Sequence, residues 1–385
     1  VNPLAPTEEQ SESNKESDGI SAKGGFESPL NGIYFSNSQA ESFKDKKPIA
    51  VMVNNHVQSR PSTGLAKADV VYEAVAEGGI TRLMPIFHSQ IPENVGSIRS
   101  ARYYYVELAS GYKAHYLHWG AAHVPACQKA APSSSEYCPP VNGKVETNPE
   151  VDAYDRIAKL GVPNLDGGNY SCNTESCAFS RDPNKLGKIP LEHTAFVRLP
   201  LVDKLARDIR PQESWHTYVD INEWKFKDDA GVDERGDIGL ATPITYNYWD
   251  MPDFAVKWDY NKESNRYLRT QGGVKQIDGI TKEQLMASSV VIRFTKQEEV
   301  GDKKNHLYHD LVGSGDALVF QDGNVIKGTW QRSTHDERDQ YFDKEGNQIE
   351  LVRGQIWVQL VPTDKTVSYG GTVENSEATN LPETE

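Results

Sequence analysis

No run of eighteen or more apolar residues occurs in the sequence, so no segment is long and apolar enough to cross a bilayer as a helix. An extended block of Lys and Arg is also missing. The 41 basic residues face 55 acidic ones, for a formal net charge of -14, which argues against nucleic acid as a partner. Three common catalytic signatures are absent: the Gly-x-Ser-x-Gly elbow, the P-loop and the His-Glu-x-x-His pair. Cysteine is scarce. Its four copies, Cys127, Cys138, Cys172 and Cys177, sit in loop-like stretches at spacings of eleven and five. Those spacings do not fit the closer pairs that zinc usually takes. They predict disulfides, with three connectivities open, and hence an oxidising compartment. A starting methionine is lacking too. The chain opens at Val1 on a Ser/Glu/Asn/Pro tract too polar to fold, as expected of a leader between a membrane anchor, absent from this chain, and an extracellular domain.

What is present divides the 385 residues into a polar leader (1–45), an α/β domain (46–213), a mainly antiparallel β domain (214–364) and an acidic tail (365–385). The fold class is therefore α+β, with a mixed sheet and a βαβ unit first and antiparallel strands after it. In the first part, 48–54 and 69–76 read as strands. Gly78-Gly79 turns the second back into 80–90, setting Asp69 beside Phe87 and His88. Ser97 or Ser100 is expected to cap a helix ending at Gly111. Residues 114–119 are then expected to run parallel to 80–90 by a right-handed crossover. Helices are predicted at 152–160 and 201–209, and a break at 210–214.

Past the break, short aromatic-rich strands are predicted at 243–249, 254–259, 266–269, 290–294, 317–320, 325–330 and 355–361. Asp322-Gly323 and Lys344-Glu-Gly-Asn347 read as hairpin turns, and Gly313-Ser-Gly315 as a tight turn. Tyr246, Tyr248, Trp249 and Trp258 raise an alternative, an interaction scaffold docking another envelope protein through exposed aromatics.

The chemistry concentrates between Glu77 and Tyr105. A strand leading into a helix start with Ser97, Arg99, Ser100 and Arg102 has the make-up of an anion site, since the first helical N–H groups lack partners. Arginine suits phosphate because its planar fork donates two parallel hydrogen bonds. Ligands of such sheets gather beyond the carboxyl ends of the parallel strands. That edge is expected to collect Asn54, Asn55, Asp69, His88, Arg99, Arg102 and His118. Arg82, a further candidate, falls about 25 Å away at ~3.3 Å per residue. His306 and His309 read as isolated from carboxylates.

The segments Pro48-Ile-Ala-Val-Met-Val-Asn-Asn55, Ala68-Asp-Val-Val-Tyr-Glu73, Ala76-Glu-Gly-Gly-Ile-Thr-Arg82, Gly96-Ser-Ile-Arg-Ser-Ala-Arg102, Asp310-Leu-Val-Gly-Ser-Gly315 and Gly354-Gln-Ile-Trp-Val-Gln359 together resemble the YerB-like lipoprotein family of Gram-positive bacteria. The resemblance implies N- and C-terminal domains of unknown function and a lipid-anchored place on the outer face of the cytoplasmic membrane. Where the family carries Ala-Pro-His-Asn, this chain has Pro190-Leu-Glu-His-Thr194 and keeps the histidine but not the asparagine. Lys67-Ala-Asp69 and Ser97-Ile-Arg99-Ser-Ala-Arg102 also resemble, distantly, the LytR-CpsA-Psr phosphotransferases. That likeness implies an alternative function on a lipid-linked pyrophosphate, with Asp69 holding Mg; otherwise no cofactor is expected.

Overall fold

The computed structural model describes residues 25–210 and 224–376. Most of the leader (1–24), nearly all of the 210–214 break and the end of the tail (377–385) lie outside them. The fold is α+β. Its first half supplies strands β1 (Ile49–Val51), β2 (Val70–Val75), β3 (Thr81–Phe87) and β4 (Asn94–Gly96), helix α1 (Tyr103–Gly111) and β5 (His115–His118). Helix α2 (Ala153–Leu160), β6 (Asn164–Asp166), β7 (Phe179–Arg181), β8 (Ala195–Arg198) and α3 (Val202–Ile209) follow. The second half supplies β9 (Ile244–Tyr246), β10 (Val256–Asn261), β11 (Arg266–Gln271), β12 (Ser289–Thr295), β13 (Gly313–Gln321), β14 (Asn324–Arg332), β15 (Gln340–Asp343), β16 (Ile356–Pro362), β17 (Val367–Tyr369) and β18 (Thr372–Glu374).

One large sheet draws on both halves of the chain. Its order is β15-β14-β13-β12-β16-β2-β3-β1-β5-β6, with a short strand at Val53–Asn54 also on β3. β16 lies parallel to β2, Val71 opposite Trp357, and parallel to β12 on its other side. β2 is buried along its whole length because both faces are covered, as expected of parallel strands. Val70, Tyr72 and Ala74 point toward α1, and Val71 and Val75 toward the second sheet. Alternation of period two in β2 thus feeds two separate cores.

The Gly78-Gly79 hairpin forms as read, with Val70 opposite Ile86, so Asp69 does stand beside Phe87. The reading of 114–119 as parallel to 80–90 is corrected. β1 inserts between them, antiparallel to β3 and parallel to β5, so β5 runs opposite to β3. A parallel βαβ crossover is present instead as β5-α2-β6. Neither Ser97 nor Ser100 caps α1; Arg102 is its N-cap residue, without a side-chain cap. The cap is dispensable because packing holds the helix. Tyr103, Tyr104 and Tyr105 are buried, and their hydroxyls bond to the carbonyls of His309, Val75 and Arg82.

A second, antiparallel sheet built around β11-β10-β9-β17-β18 lies over the face of Val71 and Val75. The two sheets are joined by a buried ion pair, Arg269–Glu73. Arg269 sits between Trp258 and Trp357, 5.0 and 4.6 Å from their ring centres. Glu73 also accepts from Thr81 at 2.7 Å, Gln271 at 3.0 Å and Asn55 at 3.2 Å. A buried pair withstands desolvation only when its remaining lone pairs are filled in this way. Tyr246, Tyr248 and Trp258 belong to the same core and are at most 4% exposed, and Trp249 packs half-buried against it, so these four do not form the exposed aromatic patch that the scaffold alternative needed.

Other differences trace to apolar contacts that composition hides. Within the stretch read as leader, Phe43 packs between Phe26 and Phe35 and Leu30 is fully buried. Within the stretch read as tail, β17 is a strand of the second sheet, with Val367 and Tyr369 buried in the core, and β18 pairs with it. Gly313-Ser-Gly315 opens a strand rather than a turn: Gly315 stands opposite Trp330, where a Cβ would come within 2.6 Å of the indole nitrogen. The cysteines pair with their sequence neighbours, Cys127–Cys138 and Cys172–Cys177.

Candidate functional site

β1, β2, β5 and β6 end at one edge of the large sheet, and the residues just beyond them form the site. β3 runs the other way, so its beginning, not its end, lies there. Strand direction therefore corrects two expectations at once. Arg82, expected to be remote, is at this edge, paired across the sheet with Asn54. Asp69 and His88 are at the opposite end, about 20 Å away over the length of β2 at ~3.3 Å per residue. Fully enclosed, Asp69 accepts hydrogen bonds from Asn31 at 2.5 Å, from the His88 and Ser89 N–H groups at 2.6 and 3.0 Å, and from the Ser89 hydroxyl. Among the described residues, no group of three or more His, Cys, Asp or Glu side chains is placed to hold a metal ion. The phosphotransferase alternative needed Asp69 beside the arginines, and that premise fails.

The turn after β2 brings Glu77 under two guanidinium groups. Arg102 grips it with two nitrogens, one of them at 2.7 Å, and Arg82 adds a third contact at 3.2 Å. Burial alone would raise the Glu77 pKa, but Arg102 and Arg82 outweigh it and hold the carboxyl far below its usual range. His306 corrects the reading of it as isolated. Its Nδ1 is 2.7 Å from Asp302 and its Nε2 is 3.8 Å from Glu77, because the second half of the chain folds back over this edge.

The other candidates divide sharply. Asn55 is buried in the network that joins the sheets, bonding to Thr81 at 2.7 Å and Gln271 at 2.8 Å. His118 is fully buried, its ring nitrogens against the Gly120 carbonyl and Asn164, and desolvation lowers its pKa. The Ser97 hydroxyl bonds to the His193 carbonyl, and the Ser100 carbonyl receives Arg82. A cleft of about 300 Å³ opens beside Ser97, lined also by Thr63, Asp182, Lys185 and Thr194. The N-terminus of α1 is closed to ligands by its own buried tyrosines.

Arg99 is the exception. Its backbone is fixed by bonds to Met52 and Trp119, yet its half-buried guanidinium has no hydrogen bond or ion pair among the described residues. Partial desolvation lowers its pKa; Glu192 opposes that shift and Arg102 adds to it. Its field also reaches His193, which the sequence reading left out together with His56 and Glu77. Arg181, which bonds to the Leu191 carbonyl, stacks on Trp119 at 4.4 Å and closes this side of the rim. The histidines could not be found from spacing, because His56 and His193 come from separate loops; the kept histidine of Pro190–Thr194 was the available signal.

Comparison with known proteins places the fold. Residues 36–142 match the model described as "Protein of unknown function (DUF3048) N-terminal domain", and residues 244–358 match its C-terminal counterpart. Together the two matches span more than half of the chain. The chain belongs to this family. It is 27% identical over 344 residues to the protein named "Putative lipoprotein YerB" of Bacillus subtilis (strain 168), covering 88% of this chain and 86% of that one. The crystal structure of the YerB protein from Bacillus subtilis superposes with a TM-score of 0.68 at 25% identity, over 89% of this chain and 99% of that one. The resemblance to the YerB-like family thus holds in sequence and in fold; none of these matches extends to the LytR-CpsA-Psr phosphotransferases.

Proposed function

We propose that this member of the DUF3048 family is a cell-envelope protein that binds a phosphate-bearing anion at the carboxyl edge of its large sheet, with Arg99 as the principal contact. One observation carries the reading: Arg82 and Arg102 are both paired to Glu77, whereas the half-buried Arg99 beside them has no hydrogen bond or ion pair among the described residues. A partly desolvated charge without a partner is unfavourable, and an arriving oxyanion supplies what is missing. The envelope location is supported by the name of the Bacillus relative, by the paired cysteines and by the acidic overall charge, which disfavours nucleic acid.

The test is thermal unfolding with pyrophosphate at low salt. Ligand at a hundred times its Kd should stabilise the wild type by about 2.7 kcal/mol, and added salt should erode the effect. Arg99→Ala should abolish the response and Arg99→Lys should weaken it, since lysine cannot donate in bidentate fashion. A response in Arg99→Ala equal to that of the wild type would sink the proposal.

A further inference from the structure

The loops after β1 and before β8 bring two imidazoles face to face. The rings of His56 and His193 are 4.7 Å apart and inclined by only 9°. Their proton positions follow from neighbours that allow one choice. The Asn54 Oδ1 accepts the His56 backbone N–H at 3.0 Å, so the amide nitrogen of Asn54 is turned toward His193. That nitrogen has no free lone pair and can only donate, which makes the His193 Nδ1, 2.6 Å away, an acceptor. The His56 Nδ1 likewise accepts from the Gln58 backbone N–H at 3.2 Å. A neutral imidazole whose Nδ1 accepts carries its proton on Nε2. Both rings therefore present an Nε2–H, and neither Nε2 has a hydrogen-bond partner among the described residues.

We propose that these two neutral Nε2–H groups are donors for the anion held by Arg99, so that the site is read by one guanidinium and two imidazoles and selects a tetrahedral oxyanion of the phosphate class. The proposal rests on the anion-binding reading above and extends it to residues in two other loops. A metal ion is disfavoured by the same geometry. Coordination through Nε2 would move each ring proton to Nδ1, against the donors of Asn54 and Gln58. Charging either ring would also put a proton on Nδ1, and charging both would set two cations face to face. Burial lowers the His193 pKa, and His56 and Arg99 act in the same direction, with Glu192 against them. The pair is thus built to donate rather than to bind cations.

Two measurements on the intact protein test this. Long-range proton–nitrogen NMR of the imidazoles should show both rings as Nε2–H tautomers at neutral pH; an Nδ1–H form at either ring, or a Zn(II)-induced shift at both Nε2 atoms, would overturn the inference whatever the anion does. The second is titration with inorganic phosphate. His56→Phe keeps the stacked ring and removes the donor, and should weaken binding about fivefold, the loss of about one neutral hydrogen bond. Arg99→Ala should remove binding altogether. Loss in Arg99→Ala with His56→Phe unchanged would overturn this inference and leave the role of Arg99 standing. No binding of phosphate by the wild type would overturn both.

Discussion

Glu77 holds two guanidinium groups at once, and its loss exposes what it does. Glu77→Gln keeps the shape of the side chain but leaves Arg82 and Arg102 as neighbouring buried cations. Breaking such a buried pair from one side costs about 3–5 kcal/mol, which urea unfolding can measure; a loss below about 1 kcal/mol would show that the two arginines find other partners. At the far end of β2, Asp69 behaves in the opposite sense. Burial raises its pKa to about 6, against the pull of the Ser89, His88 and Asn31 hydrogen bonds. Between its unfolded value of 3.8 and about 6 the folded protein holds the extra proton, so stability should rise as pH falls through that window. The gain from Asp69 is about 1–3 kcal/mol, and Asp69→Asn should flatten it while lowering stability overall, since the new amide N–H faces existing donors. An unchanged pH slope in that variant would refute the assignment. At this scale the sequence pointed to the segment from Glu77 to Arg102, without naming Glu77 itself as a candidate. It was misleading where strand direction decided which end a residue occupies, as for Arg82, Asp69 and His88. It was silent where partners come from distant loops, as for His56 and His193.

The β2–β3 hairpin is the element that carries Glu77 to Arg102, and its two glycines are not equivalent. Gly78 and Gly79 have φ values of +68° and +75°, but only at Gly79 would a Cβ meet neighbours, at 2.9 Å from the Met251 side chain and 3.3 Å from Trp249. Gly78→Ala should cost about 1–2 kcal/mol for the left-handed backbone alone. Gly79→Ala should cost about 1–3 kcal/mol more, from overpacking against the turn that follows β9. Equal losses in the two variants would mean that the hairpin and that turn do not support each other. Elements of this kind were legible because β-branched alternation and diglycine turns are local signals. β4, β7 and β8 were not, since these short strands lie in loop-like stretches without a longer apolar or aromatic run and are fixed by the strands beside them. β5 was placed with the wrong direction because sequential order suggested β3 as its reference, and nothing local reveals that β1 lies between. At Gly315 the glycine makes room for an indole and marks no turn, a distinction visible only with Trp330 in place.

On the scale of the whole molecule, the boundary at residue 214 marks a change of texture, yet the large sheet crosses it. β16 and β12 continue the sheet that β1, β2, β3, β5 and β6 begin, and Arg269–Glu73 fastens the second sheet to it. The protein should therefore unfold in one transition, seen alike by circular dichroism and tryptophan fluorescence. A fragment of residues 25–210, deprived of β16, should fail to give a cooperative transition; native-like cooperativity in that fragment would show that the halves are independent. Composition could register the aromatic β texture of the second half, but not that one of its strands completes the first. The placement of β16 also bears on how the chain is made. Val71 waits for Trp357, so the whole stretch from β3 to β16 must emerge from the ribosome before β2 acquires its second neighbour. Contacts of such separation close slowly. In the meantime a buried strand exposes an open edge, a hazard for aggregation and an opening for a chaperone. The same delay keeps the newborn chain slack until β16 has been made, the condition in which a polypeptide can still be threaded through a narrow translocation pore.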